Sequence, residues 1–154
     1  ARVDRVNPYT NAGLGVLITA GSNGLTLIGS MKVRNDGLLY AADYQADKVF
    51  KFNASTGAFS SSFTVGGGVG LVVDANDKLV IMSEDAAKLQ RYSTTGTLEA
   101  TIYTFPAWTD VHGLVLASDG NYYVCNQQTL TIDKITPAGV RSTFATLGSG
   151  SEPL

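Results

Sequence analysis

His112 is the only histidine of the chain, and it follows Asp110 by two positions in Asp110-Val-His-Gly113. On an extended strand, side chains two apart share a face, so the carboxylate stands beside the imidazole. Such a carboxylate can set the ring's tautomer and hold its proton, as a general base requires. One histidine cannot build a His-rich metal site. No Ser–His–Asp set is legible either, because a triad is recognised in space and not in sequence. A hydrogen-bonded structural histidine therefore ranks ahead of a ligand contact, and a ligand contact ahead of catalysis. Oxygen ligands recur further on: Asp43 and Asp47, then Glu84 and Asp85, with Asn126 at the matching place. A ring of Asp43, Glu84 and Asn126 would suit Ca²⁺, which takes about six to eight oxygens. The preferred reading is that these residues stabilise turns by bonding their own backbone, as Asp74 and Asp119 would, so no cofactor is expected. In Phe105-Pro-Ala-Trp108 the two aromatics can form a contact surface for a ligand or fill a gap between elements. Gly66-Gly-Gly68 lacks the lysine and helix that a phosphate loop needs and reads as a connector. The single cysteine, Cys125, excludes an internal disulfide and reads as a buried, inert thiol.

The elements that must carry these residues repeat. Ser30–Leu39, Gly70–Leu79 and Gly113–Tyr122 align, and 13 residues beyond their ends stand Phe52, Tyr92 and Ile135. Gly57, Gly96 and Gly139 follow as turns. A period of 40 and then 43 residues, with period-two alternation inside it, is the signature of propeller blades. The fold class is all-β: β-propeller blades of four antiparallel strands, in an incomplete arc or half of a six- to seven-bladed ring. The whole of 1–154 reads as one propeller segment. Residues 25–65, 70–105 and 113–146 form full blades, 1–20 a half blade, and 147–154 lead into the next. Strands are expected near 27–33, 38–43, 48–53 and 58–65 in the first full blade. The second has them near 70–74, 79–83, 88–93 and 98–105, the third near 113–117, 122–126, 131–136 and 140–146. Asn35-Asp-Gly37 predicts a primed hairpin turn. Val3–Gly13 resembles Val49–Gly57, a third strand with its turn, so the chain enters half-way through a blade. In this frame His112 sits at the mouth of the central channel.

Gly70-Leu-Val-Val-Asp-Ala-Asn-Asp-Lys-Leu-Val-Ile-Met, with Lys88-Leu-Gln-Arg-Tyr92, resembles the NHL-repeat propellers. So do Gly113-Leu-Val-Leu-Ala-Ser-Asp-Gly-Asn-Tyr-Tyr-Val and Asp36–Tyr44 with Lys48–Phe52. The likeness covers roughly 27–146 and more loosely 3–19. Ser30-Met-Lys32 and Asn126-Gln-Gln depart from the family pattern. The resemblance implies the architecture more than any one function. The family includes protein- and nucleic-acid-binding scaffolds, and related propellers are lyases and lactonases. Lyase-type propellers use channel histidines. The lactonase-type Glu, Asn and Asp cluster around a divalent metal has no residue-by-residue counterpart here.

Apolar residues make up 44% and charged residues 16% of the chain, which suits a packed all-β domain. The formal net charge of −2 offers no basic footprint for nucleic acid. No apolar run approaches the roughly 18 residues of a membrane span. There is no initiator methionine or signal peptide, so the chain reads as processed, excised or incomplete. Low charge and many Ser, Thr and Asn residues, with a sequon at Asn53-Ala-Ser55, lean towards an extracellular or surface location. The expected function is a non-enzymatic module for binding or self-assembly. Its half blades would be completed by another copy or by the remainder of a longer chain. The alternative is half of a lyase- or lactonase-type enzyme with a channel-mouth site.

Overall fold

Leu38–Asp43 is apolar on both faces, as a strand sandwiched between two other sheets must be. A computed structural model, describing residues 1–106 and 110–148, bears this out. The elements are β1 Val3–Val6, β2 Gly13–Ile18, β3 Ile28–Val33, β4 Leu38–Asp43, β5 Lys48–Asn53, β6 Phe59–Thr64 and β7 Gly68–Val73. They continue as β8 Leu79–Ser83, β9 Lys88–Tyr92, β10 Leu98–Thr104, β11 Val111–Leu116, β12 Tyr122–Asn126, β13 Thr131–Ile135 and β14 Arg141–Thr146. Each full sheet is a four-stranded antiparallel meander: β3-β4-β5-β6, β7-β8-β9-β10 and β11-β12-β13-β14. The β1-β2 sheet holds only the two outer strands of a blade. The described helix is one 3-10 turn, Ser22–Gly24, and no described helix is long and apolar enough to cross a membrane.

The sheets face one another, and period-two alternation sorts side chains between neighbours. Leu39, Ala41, Phe50 and Phe52 bury against Val3 and Ile18 of the half blade. Tyr40, Ala42 and Val49 bury the other way, against Leu79, Ile81 and Tyr92 of the second blade. Val80, Met82 and Leu89 then meet Val111, Tyr122, Val124 and Ile135 of the third. The inner strands β3, β7 and β11 pack side by side along the axis. Space is tight there: a Cβ on Gly70 would come within 2.6 Å of the Leu114 Cβ. The expected arc of blades is therefore present, and it is not closed.

One turn differs from expectation. At Asn35-Asp-Gly37 the Arg34 amide donates to Leu38 O (3.0 Å) and the Gly37 amide to Arg34 O (3.1 Å). Only Gly37 has positive φ, so this is a three-residue loop closed by one left-handed residue, not a primed turn. Asp77 takes Gly37's place in the second blade at φ 60, a conformation Asp tolerates better than most residues. From there its carboxylate meets the buried Arg34 guanidinium across the blade boundary.

Candidate functional site

The connectors between blades and the turns joining second to third strands share one rim. There the pairings Ile28↔Asp43, Gly68↔Ser83 and Val111↔Asn126 set equivalent positions in the three blades. Asp43, Ser83 and Asn126 form one level, and all three are buried. Asp43 accepts from the Thr26 amide (2.6 Å), the Thr26 hydroxyl (2.7 Å), the Leu27 amide (3.0 Å) and the Ala46 amide (3.0 Å). Burial alone would raise its pKa, but these donors outweigh burial and hold the carboxyl below its ordinary value. Ser83 Oγ and Asn126 Oδ1 accept from the amides three residues on, Ala86 and Thr129. Asn126 also donates to the buried Asp133 (3.2 Å). The oxygens of Asp43 and Asn126 are thus spent on the backbone and do not form a ring with Glu84. The repeat explains why: Glu84 stands one residue beyond that level, in register with Tyr44 and Gln127.

That outer level faces the channel mouth. The amides of Tyr44, Glu84 and Gln127 each donate to the residue preceding an inner strand: Leu27 O (2.9 Å), Gly67 O (3.1 Å) and Asp110 O (2.8 Å). A groove of about 540 Å³ opens there, floored by Leu27, Ile28 and Val69 and flanked by Tyr44, Glu84 and His112. Gly113, at φ 63, sits where the β11–β12 register slips between His112 and Leu114. His112 Nε2 lies 2.7 Å from Asp110 Oδ1, with side chains 37% and 48% exposed. The expected pairing of His112 with Asp110 is therefore present. Glu84 joins it: one ligating atom from each of Glu84, Asp110 and His112 lies within 4.8 Å of the others. The nearby carboxylates of Glu84 and Asp85 push the Tyr44 phenol pKa up, so the ring stays neutral and able to donate. This arrangement can hold a cation, orient a polar ligand over an apolar floor, or pass a proton through the His112–Asp110 pair.

The other candidates lie elsewhere. Phe105 is 3% exposed and edge-on to Tyr103, with ring centroids 4.8 Å apart, so it fills the gap between second and third blades and is closed to a ligand. Trp108 lies outside the described residues, as do positions 149–154. Cys125 is only half-buried, contrary to the buried thiol expected, because it points away from the second blade. Asp119 does staple its turn, accepting from the Asn121 amide (3.1 Å) and pairing with Lys134 (3.0 Å). Asp74 likewise accepts from the Asn76 and Lys78 amides and pairs with Arg91 at 2.7 Å. Farther along the axis the wall is mixed, with Ser30 and Lys32 beside Met31, Val72, Leu114 and Val115.

No protein family and no curated protein matches the chain by sequence. Solved structures match by shape. Virginiamycin B lyase from Staphylococcus aureus aligns over 97% of this chain and 50% of its own, at TM-score 0.71 and 14% identity. A streptogramin B lyase structure aligns over 97% and 49%, at TM-score 0.74 and 14% identity. The WD40 repeats of RRP9 align over 93% and 44%, at TM-score 0.72 and 15% identity. The chain spans about half the length of these structures. At such identities the likeness establishes architecture alone: an arc of β-propeller, three four-stranded blades and the outer half of a fourth.

Proposed function

We propose that this arc is a non-enzymatic binding and assembly module of NHL-like kind, carried on a secreted or surface protein and completed by a second copy or by further polypeptide. The observation that carries this reading is the pair of uncovered sheet faces bounding the arc. Val6, Leu14 and Val16 are exposed on the two-stranded β1-β2 sheet. At the other end, Tyr123, Cys125 and Phe144 of the third blade are partly or fully exposed, with no described sheet against them. Main-chain pairing along an open strand needs little sequence specificity and fits strand addition. Two arcs related by a two-fold axis would bring together six full blades and two half blades. The low share of charged residues, 16%, suits faces that become buried on assembly.

Native mass tests this against the 16.2 kDa of one chain, and Cys125 supplies a second readout. A mass of two chains or more, with Cys125 alkylated far more slowly than free cysteine, supports completion by copies. A stable single chain whose Cys125 reacts as fast as free cysteine sinks it. The enzyme reading has one observation in its favour, the Asp110–His112 pair beside Glu84. Consumption of virginiamycin B that His112→Ala abolishes would reverse that ranking.

A further inference from the structure

We propose that Glu84, Asp110 and His112 form a divalent-metal site at the channel mouth, taking a transition-metal ion such as Zn²⁺ or Mn²⁺ with coordination positions left open to the groove. The ligands come from two blades. Glu84 begins the turn after β8, while Asp110 and His112 flank the start of β11, 26 and 28 positions away in sequence. Neither pair of elements makes the site alone; the packing of second and third blades does. Two carboxylates and an imidazole are three protein ligands, the number that open zinc sites use. Imidazole favours Zn²⁺ over Ca²⁺, which asks for oxygens throughout, and the two carboxylates also suit Mn²⁺.

The geometry needs little change. Metal–ligand bonds of about 2.1 Å in a tetrahedral site put ligand atoms roughly 3.4 Å apart. Here Nε2 and Oδ1 are 2.7 Å apart, and all three ligand atoms fall within 4.8 Å. Side-chain rotation of Glu84 brings its carboxylate in, since among the described residues that carboxylate makes no hydrogen bond or ion pair, and the ion takes the place of the hydrogen bond between His112 and Asp110, which must open by roughly 0.7 Å. Among those residues, too, neither Glu84 nor Asp110 meets a lysine or arginine within ion-pair distance. The backbone is held, since the Glu84 amide bonds Gly67 O and Asp110 O accepts from the Gln127 amide. The apolar floor of Leu27, Ile28 and Val69 leaves the open positions to water or a small ligand.

This goes beyond the assembly reading and does not depend on it, because all three ligands belong to one chain. The test is titration of chelator-treated protein with Zn²⁺ and with Mn²⁺ against a chromophoric competitor, at a dilution where the native mass is known. The expected result is one ion per chain. Glu84→Gln, Asp110→Asn and His112→Ala should each weaken binding by about tenfold or more, with unchanged circular dichroism and thermal midpoint. Asp47→Asn, on the same rim, should leave binding unchanged, and Cys125→Ser should too. No saturable binding overturns the proposal. So does binding that survives Glu84→Gln and His112→Ala, or that follows Cys125. Binding of Ca²⁺ in preference to Zn²⁺ and Mn²⁺ overturns the assignment of ion class. A change in native mass with no change in metal affinity bears on assembly alone.

Discussion

β1 and β5 carry the same turn into different surroundings. Asn7 Oδ1 accepts from the Tyr9 and Thr10 amides, and Asn53 Oδ1 from the Ser55 and Thr56 amides. Thr10 and Thr56 each accept from the amide two residues on. The turns match because their hydrogen bonds are local. The strands do not match in burial. Phe52 is 0% exposed, while Val6, its counterpart, is 56% exposed. β5 lies between two sheets, whereas β1 has one only on the side of the first full blade. The turn residue in left-handed conformation differs for the same reason. Gly57 has φ +74, and a Cβ there would come within 1.8 Å of Leu17 O in the neighbouring half blade. Gly139 stands likewise against Ile102 O, at 2.3 Å. Asn11 holds φ 55 at the matching point of the half blade. Any sheet packed against that blade's outer face must leave room for its side chain.

That contrast can be broken by mutation. Phe52→Ala should cost about 4 kcal/mol by urea unfolding, through lost burial and a cavity, while Val6→Ala should cost under about 0.5 kcal/mol. Similar losses at the two sites would mean that β1 is covered on both faces in solution. Asp43→Ala should cost about 3 kcal/mol, because it strands the Thr26 and Leu27 amides that tie the half blade's connector to the first blade. The same carboxylate sets a pH limb. Its folded pKa is depressed, so its contribution is complete above the unfolded value of about 3.9 and is lost as pH falls through the folded value. The urea midpoint should fall below about pH 4, and Asp43→Asn should flatten that limb; an unchanged limb would place the acid sensitivity elsewhere. Gly57→Ala should cost about 2 kcal/mol, from strain and the close approach of the Leu17 carbonyl. Asn11→Gly, the smallest effect, should lie within about 0.5 kcal/mol of neutral, and a large loss there would show that Asn11 makes contacts of its own.

The blade pattern was legible because its signals are local. β4, β5, β8 and β12 fall where alternation places them, and the glycine turns fall where Gly57, Gly96 and Gly139 stand. Asp77 was harder, since an aspartate occupies the left-handed position that Gly37 marks one repeat earlier. Asp110 beside His112 was legible from a spacing of two. Glu84 was visible as a carboxylate but grouped with the wrong partners. A one-residue offset sends a side chain to a different level of the rim, and charge alone does not reveal it. Matching Glu84 to Tyr44 in the repeat would have found the register. Phe105 left its two roles open because an aromatic next to a proline looks alike on a rim and in a gap between sheets.

By itself the order of residues determined the repeat, the four-stranded blades, the turn positions and the half blade at the start. These rest on period-two alternation and on Asn, Asp and Gly bonding within a few residues. Only the tertiary structure decided which face of each strand meets which neighbour, that Phe105 is buried while Cys125 is half-open, and that Glu84 converges with Asp110 and His112. Convergence across 28 positions depends on how two sheets twist and pack, and no local hydrogen bond records that.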